Sequence, residues 1–119
     1  LDTTTHPEYR MSREMFERIA SKGNRTTDLI NDLCGSLVER FNGFSLHDPQ
    51  AMAYVIDPSM FTTEKYKVDV ECSGELTRGM TVVERRLYRI VKDKANVDVV
   101  VNVDAGRFLG LIEERISGE

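Results

Sequence analysis

The sequence predicts an α/β fold, and three observations carry that prediction. Apolar residues recur at helical spacing through the first forty positions, strict alternation takes over from Tyr66, and a valine-rich run at 97–103 leads into a capped helical pattern. Helices covering a sheet accommodate all three. The sheet is expected to be incomplete. The chain opens without Met in Leu1-Asp2-Thr3-Thr4-Thr5, a β-branched run that reads as the end of a strand, and a strand end without a beginning points to a chain cut from something longer.

The elements follow in order. After Pro7, Ser12 is placed to cap a helix with Met15, Phe16, Ile19 and Ala20 on its apolar face, stopped by Gly23-Asn24. A second helix is expected from Thr26 or Thr27. Its positions Leu29, Ile30, Leu33, Cys34, Leu37, Val38 and Phe41 keep the i, i+3, i+4, i+7 rule, and Asn42-Gly43 ends it. A third, short helix is expected at His47-Asp48-Pro49, with Asp48 suited to the N-cap and Pro49 to the first helical position. Its stripe is Ala51, Met52, Val55 and Ile56, and Asp57-Pro58 closes it.

From Tyr66 the period becomes two. Tyr66, Val68, Val70 and Cys72 alternate with Lys67, Asp69 and Glu71, a strand with one wet face. Ser73-Gly74 and Arg78-Gly79 mark turns, and Met80 to Val83 reads as a returning strand. Leu87 to Val91 is ambiguous. Val97 to Val103 is a strand whose central valines predict burial on both faces. Asp104 then caps a final helix carrying Phe108, Leu109, Leu111, Ile112 and Ile116, closed by Gly118. No repeat, low-complexity tract or linker divides the chain, so residues 1–119 are taken as one piece.

Composition excludes several classes. The 119 residues are 40% hydrophobic and 30% charged, a globular balance, with a net charge of −4 and scattered Lys and Arg. Without a basic stripe, a nucleic-acid polymer is not an expected partner. No run approaches the roughly 20 apolar residues of a membrane span, and no signal-peptide pattern is present. Cys34 and Cys72 form no CxxC and read as buried free thiols in a reducing cytoplasm. The methionines at 11, 15, 52, 60 and 80 suit core and capping positions.

The residues with chemistry to offer are few. His47 is a side chain that ionises near neutrality and can donate a proton to a leaving group; the adjacent Asp48 is a hard oxygen ligand for Ca²⁺ or Mg²⁺. Neighbouring residues at a helix start can diverge, one toward a substrate and one toward a metal. A plain reading competes: Asp-Pro is a common helix start, and the histidine before it is then simply exposed. His6 reads as a loop residue. Asp98, Asn102 and Asp104 divide between a strand and a cap, Arg85-Arg86 reads as a solvated face, and Arg78 sits in a turn where it either holds a carboxylate or is exposed. Phe41 and Phe44 suit core packing better than the lining of a pocket.

Taken together, these stretches carry a resemblance. Leu1-Asp2-Thr3-Thr4, the two amphipathic helices, Leu46-His47-Asp48-Pro49 with Ala51, and Ile56-Asp57-Pro58-x-x-Phe61 come in that order. Val70-Glu71-x-x-Gly74, Thr77 to Val83, Asn96-Val97 to Val103-Asp104 and Phe108 follow. The whole resembles the C-terminal part of the inosine-uridine preferring nucleoside hydrolases, across essentially the full 119 residues. The resemblance implies hydrolysis of the N-glycosidic bond of a ribonucleoside to ribose and free base. His47 would protonate the departing base, and Asp48 would be a Ca²⁺ ligand that also touches the ribose.

The resemblance also implies that the site is only half here. The family's N-terminal aspartate cluster and its middle-region ribose contacts are missing from this sequence, and Glu84 stands where the family usually has aspartate. One carboxylate is short of the roughly 6–8 oxygens of a Ca²⁺ site. The segment is therefore expected to be inactive alone, its partners being the ribonucleoside and either the remainder of the hydrolase chain or a complementing chain. The alternative is a truncated, non-catalytic homologue that binds a partner or oligomerises. A homo-oligomer and the base preference, purine or pyrimidine, stay open.

Overall fold

The computed structural model describes residues 3–86 and 94–118, and Leu1, Asp2 and the ambiguous Leu87 to Val91 lie outside them. Helix and sheet are both present, as expected. The chain forms two compact units, residues 1–61 with 102–119, and residues 62–101.

In the first unit, a 3-10 turn, Pro7–Tyr9, leads into strand β1, Arg10–Ser12. Ser12 accepts a hydrogen bond from Met15 N–H and so caps helix α1, Arg13–Ala20, which buries Met15, Phe16 and Ile19 as its spacing predicts. Helix α2 spans Arg25–Phe41. It begins earlier than expected because Asn24, not a threonine, is the cap. The Asn24 carbonyl side chain accepts from Thr26 and Thr27 N–H, and Thr27 Oγ1 accepts from Asn24 N–H in return, so the helix starts at the first residue this reciprocal pair allows.

Asn42 ends α2 in the left-handed conformation, and Gly43 opens strand β2, Gly43–Ser45. β2 pairs antiparallel with β1, Arg10 opposite Ser45, Met11 opposite Phe44 and Ser12 opposite Gly43. The sequence reading missed this ribbon, taking Gly43 only as a helix stop. Glycine is required there: φ is +125°, and a Cβ would lie 2.3 Å from the Met11 carbonyl oxygen. Helix α3, His47–Ile56, follows, then a 3-10 turn at Pro58–Met60, where the Asp57 side chain accepts from Ser59 N–H. The unit closes with helix α4, Ala105–Ser117, capped by Asp104 at Arg107 N–H and ended by left-handed Gly118, as its sequence predicts. Phe108 of α4 is wholly buried. Arg107 ties α4 to the end of α3 through Asp57 Oδ2 at 2.7 Å and Ser59 Oγ at 3.0 Å.

The second unit holds most of a three-stranded sheet ordered β4-β3-β5, with β3 at Phe61–Val70, β4 at Thr81–Glu84 and β5 at Val97–Val103. β3 starts five residues before the alternation begins and ends before Cys72. Its antiparallel register with β4 sets Val68 opposite Val83 and Val70 opposite Thr81. Between them the Glu71 carboxylate accepts from the Ser73 and Gly74 N–H groups, which holds it below the usual carboxylate range and fixes the predicted turn.

Several burial expectations do not hold. Leu29, Leu33, Leu37 and Phe41 of α2 are exposed, with Leu33 at 66%, and Val38 is the apolar residue that α2 buries. The stripe Ala51, Met52, Val55, Ile56 of α3 also faces outward, Val55 at 76%, while Gln50 and Ala53 take the inward face. Val97 and Val101 are exposed, so β5 is not buried on both faces; Met52 and Met80 are exposed rather than core. Cys72 is exposed and Cys34 only half-buried, both as free thiols. Periodicity marks an apolar face correctly, but burial needs a neighbour, and within each unit these faces have little to pack against. No helix among the described residues is long and apolar enough to cross a membrane.

Candidate functional site

The ribbon β1–β2 delivers the chain to the candidate site. Past Ser45, Leu46 is buried, and its carbonyl accepts Gln50 N–H at 3.2 Å, which makes Leu46 the residue that starts α3. Asp48 is therefore not the N-cap that its Asp-Pro pair suggested. It lies inside the first turn, and the cap residue, Leu46, makes no side-chain cap hydrogen bond. The reason is tertiary: pairing of Arg10 with Ser45 places the strand end, and the buried Leu46 that follows takes the cap position, two residues before Asp48. A carboxylate in a first helical turn still gains from the helix dipole, and Pro49 still costs nothing where N–H groups lack partners.

His47 and Asp48 are both exposed, side by side on this turn. His47 Nδ1 is 2.8 Å from Thr4 Oγ1, a contact that spans 43 residues of sequence. Sequence reasoning missed Thr4 because it took the threonine run as a strand end. Residues 3–5 form a turn instead, with His6 N–H bonded to the Thr3 carbonyl at 3.3 Å. It also missed Gln50, one turn after His47. Gln50 is 3% exposed, and its Nε2 is buried with no hydrogen-bond partner among the described residues.

The other candidates go elsewhere. His6 caps the Pro7–Tyr9 turn through Nδ1. Asp98 pairs with Lys65, Asn102 accepts from buried Tyr9 at 2.8 Å, and Asp104 caps α4, so the three do not converge. Arg86 pairs with Glu84, and Arg78 is exposed. Phe41 is exposed beneath the Arg40 guanidinium, whereas Phe44 meets Phe16 edge-on. A groove of about 510 Å³ in the first unit is lined by residues including Pro7, Arg10, Met15, Arg18, Leu109 and Glu113. His47 and Asp48 do not line it, and two of its charged residues, Arg18 and Glu113, pair with each other at 2.6 Å.

Among the described residues no three His, Cys, Asp or Glu side chains gather where a metal could bind. Asp48 offers at most two oxygens of the roughly 6–8 that Ca²⁺ takes, so the described residues do not fit the ion by themselves.

The family model of inosine-uridine preferring nucleoside hydrolases matches residues 1–110. The pyrimidine-specific ribonucleoside hydrolase RihA of Citrobacter koseri is 34% identical over 111 residues, covering 87% of this chain and 35% of that protein. RihA of Salmonella newport is 36% identical over 111 residues with the same coverage. The chain thus spans about a third of the length of the curated relatives it matches. Among solved structures, an inosine-guanosine nucleoside hydrolase superposes with a TM-score of 0.84 at 20% identity, covering 98% of this chain and 37% of that one. A purine-preferring ribonucleoside hydrolase from Gardnerella vaginalis gives 0.69 at 28% identity, covering 99% and 38%.

Proposed function

Because the chain belongs to the inosine-uridine preferring nucleoside hydrolase family, we propose that it is the C-terminal segment of an enzyme that hydrolyses the N-glycosidic bond of ribonucleosides. The observation that carries this reading is the exposed first turn of α3, where His47 and Asp48 stand together and the His47 ring is held by Thr4. His47 is the general acid. As the glycosidic bond lengthens, the ribose becomes oxocarbenium-like and charge accumulates on the departing base; a proton from the imidazole neutralises that leaving side. Asp48 is one carboxylate ligand to Ca²⁺, the other ligands coming from outside this segment. Nucleoside hydrolases are generally metal-dependent, and the ion's chemistry is to stabilise charge and orient reactants. The ribonucleoside is the substrate, with no base class assigned: the relatives include pyrimidine-specific and purine-preferring enzymes.

The test uses the complete hydrolase that carries this segment. His47→Ala is expected to lower kcat toward ribonucleosides by about 10²–10⁴-fold, the usual contribution of a general acid. If it costs no activity toward any purine or pyrimidine nucleoside, the acid assignment is wrong. A second reading, a homologue that binds a partner without catalysis, draws on the absence of any metal-binding cluster among the described residues. Calorimetry with Ca²⁺ separates the two: a completed site binds the ion and loses it with Asp48→Asn, whereas a binding module takes up none.

A further inference from the structure

The antiparallel ribbon explains why Thr4 meets His47. Arg10 opposite Ser45 is the last pair of its register, and from there one strand runs back toward the N-terminus while the other runs forward into α3. The end that runs toward the N-terminus is pinned on both sides. Arg10 Nη2 donates to the Gly43 carbonyl at 3.0 Å, and Tyr9, buried, donates its hydroxyl hydrogen to Asn102 Oδ1 at 2.8 Å. The turn at residues 3–5 is thereby set over the start of α3, with Thr4 Oγ1 at 2.8 Å from His47 Nδ1.

We infer that Thr4 is a positioning residue for His47: its hydroxyl holds Nδ1 so that the transferable proton sits on Nε2, directed away from the contact. The inference rests on the acid role proposed for His47. A hydroxyl suits the task because its oxygen has two lone pairs and brings no charge. In the imidazolium, Nδ1–H donates to Thr4 Oγ1 and Nε2–H is left for the substrate. The Nε2–H bond breaks as a new N–H bond forms on a ring nitrogen of the departing base, and the electrons of the glycosidic bond leave with that base. The histidine ends neutral, with Nδ1 still protonated and still bonded to Thr4. No ring rotation is needed between the two states.

Thr4→Val removes the hydroxyl at nearly constant shape, and Thr4→Ser keeps it. Both are made in the complete hydrolase and assayed on uridine and inosine, and on p-nitrophenyl β-D-riboside, whose leaving group departs without protonation. Thr4→Val is expected to lower kcat on the nucleosides by about 10–100-fold with KM little changed, because it misorients an acid without removing it. The nitrophenyl riboside should be cleaved at the unaltered rate, and Thr4→Ser should restore the nucleoside rate. Equal losses on both substrate types would mark Thr4 as merely structural and overturn the inference. So would an unchanged nucleoside rate in Thr4→Val while His47→Ala abolishes it. If His47→Ala itself leaves nucleoside cleavage intact, the acid reading falls first and takes the inference with it.

Discussion

Replacing Gly43 by alanine is expected to loosen the ribbon that leads into the candidate site. Two costs add. The backbone at φ +125° lies where side chains rarely go, a strain of about 1–3 kcal/mol. The new Cβ would stand 2.3 Å from the Met11 carbonyl oxygen and 3.3 Å from Ser12 Cα, both backbone atoms of the paired strand. Ordinary contact begins near 3.4 Å, so the strands must part by about 1 Å, an overpacking cost of about 1–3 kcal/mol. The total is about 2–6 kcal/mol, a large share of a typical stability of about 5–15 kcal/mol. Gly23→Ala is the control: it has φ +62° with nothing within 4 Å of the new Cβ, and only the left-handed cost of about 1 kcal/mol applies. In urea unfolding of the protein, an m-value of about 2 kcal/mol/M, that of a small domain, makes the expected fall in midpoint about 1–3 M for Gly43→Ala and about 0.5 M for Gly23→Ala. Equal shifts for the two variants would refute the argument from the Met11 contact.

Two further outcomes follow from the same geometry. Gln50→Leu removes a buried amide nitrogen that has no partner among the described residues and should leave the unfolding free energy unchanged or raise it, by up to about 1–3 kcal/mol; a clear loss would show that the amide is engaged. The Glu84 carboxyl is held at about 2, against an ordinary 4.5, first by the Arg86 guanidinium and then by Arg86 N–H. Its pKa is depressed on folding, so its stabilising contribution is complete above pH 4.5 and fades as the pH falls toward 2. Titration followed by NMR should place the Glu84 midpoint near 2 and return it toward 4.5 in Arg86→Ala; a midpoint near 4.5 in the unaltered protein would show that the pair does not form in solution.

Legibility in the sequence divides by range. The caps at Ser12 and Asp104 and the stop at Gly118 were readable because each acts within about four residues of its partner. The start of α2 was misjudged by one or two residues because Asn24, three before Thr27, completes a reciprocal cap that the threonines alone do not suggest. β1 and β2 were unreadable: at three residues each they carry no period, and their pairing joins positions over thirty residues apart. The alternation from Tyr66 located a strand but not its start, since Phe61 to Lys65 pairs without alternating.

The candidate site shows the same division. That a histidine and an aspartate stand together at a helix start, in an order resembling the nucleoside hydrolases, was written in the sequence, because adjacency and helix-start chemistry are local. Their setting came only with tertiary structure. Burial of Leu46 moved the helix start and kept Asp48 from serving as its cap, and the ribbon brought Thr4 onto His47 across 43 residues. The outward face of α3 was decided in the same way. Hydrophobic periodicity says that Met52, Val55 and Ile56 share a face, but which face turns inward depends on what packs beside it, and Gln50 and Ala53 are the residues that found neighbours.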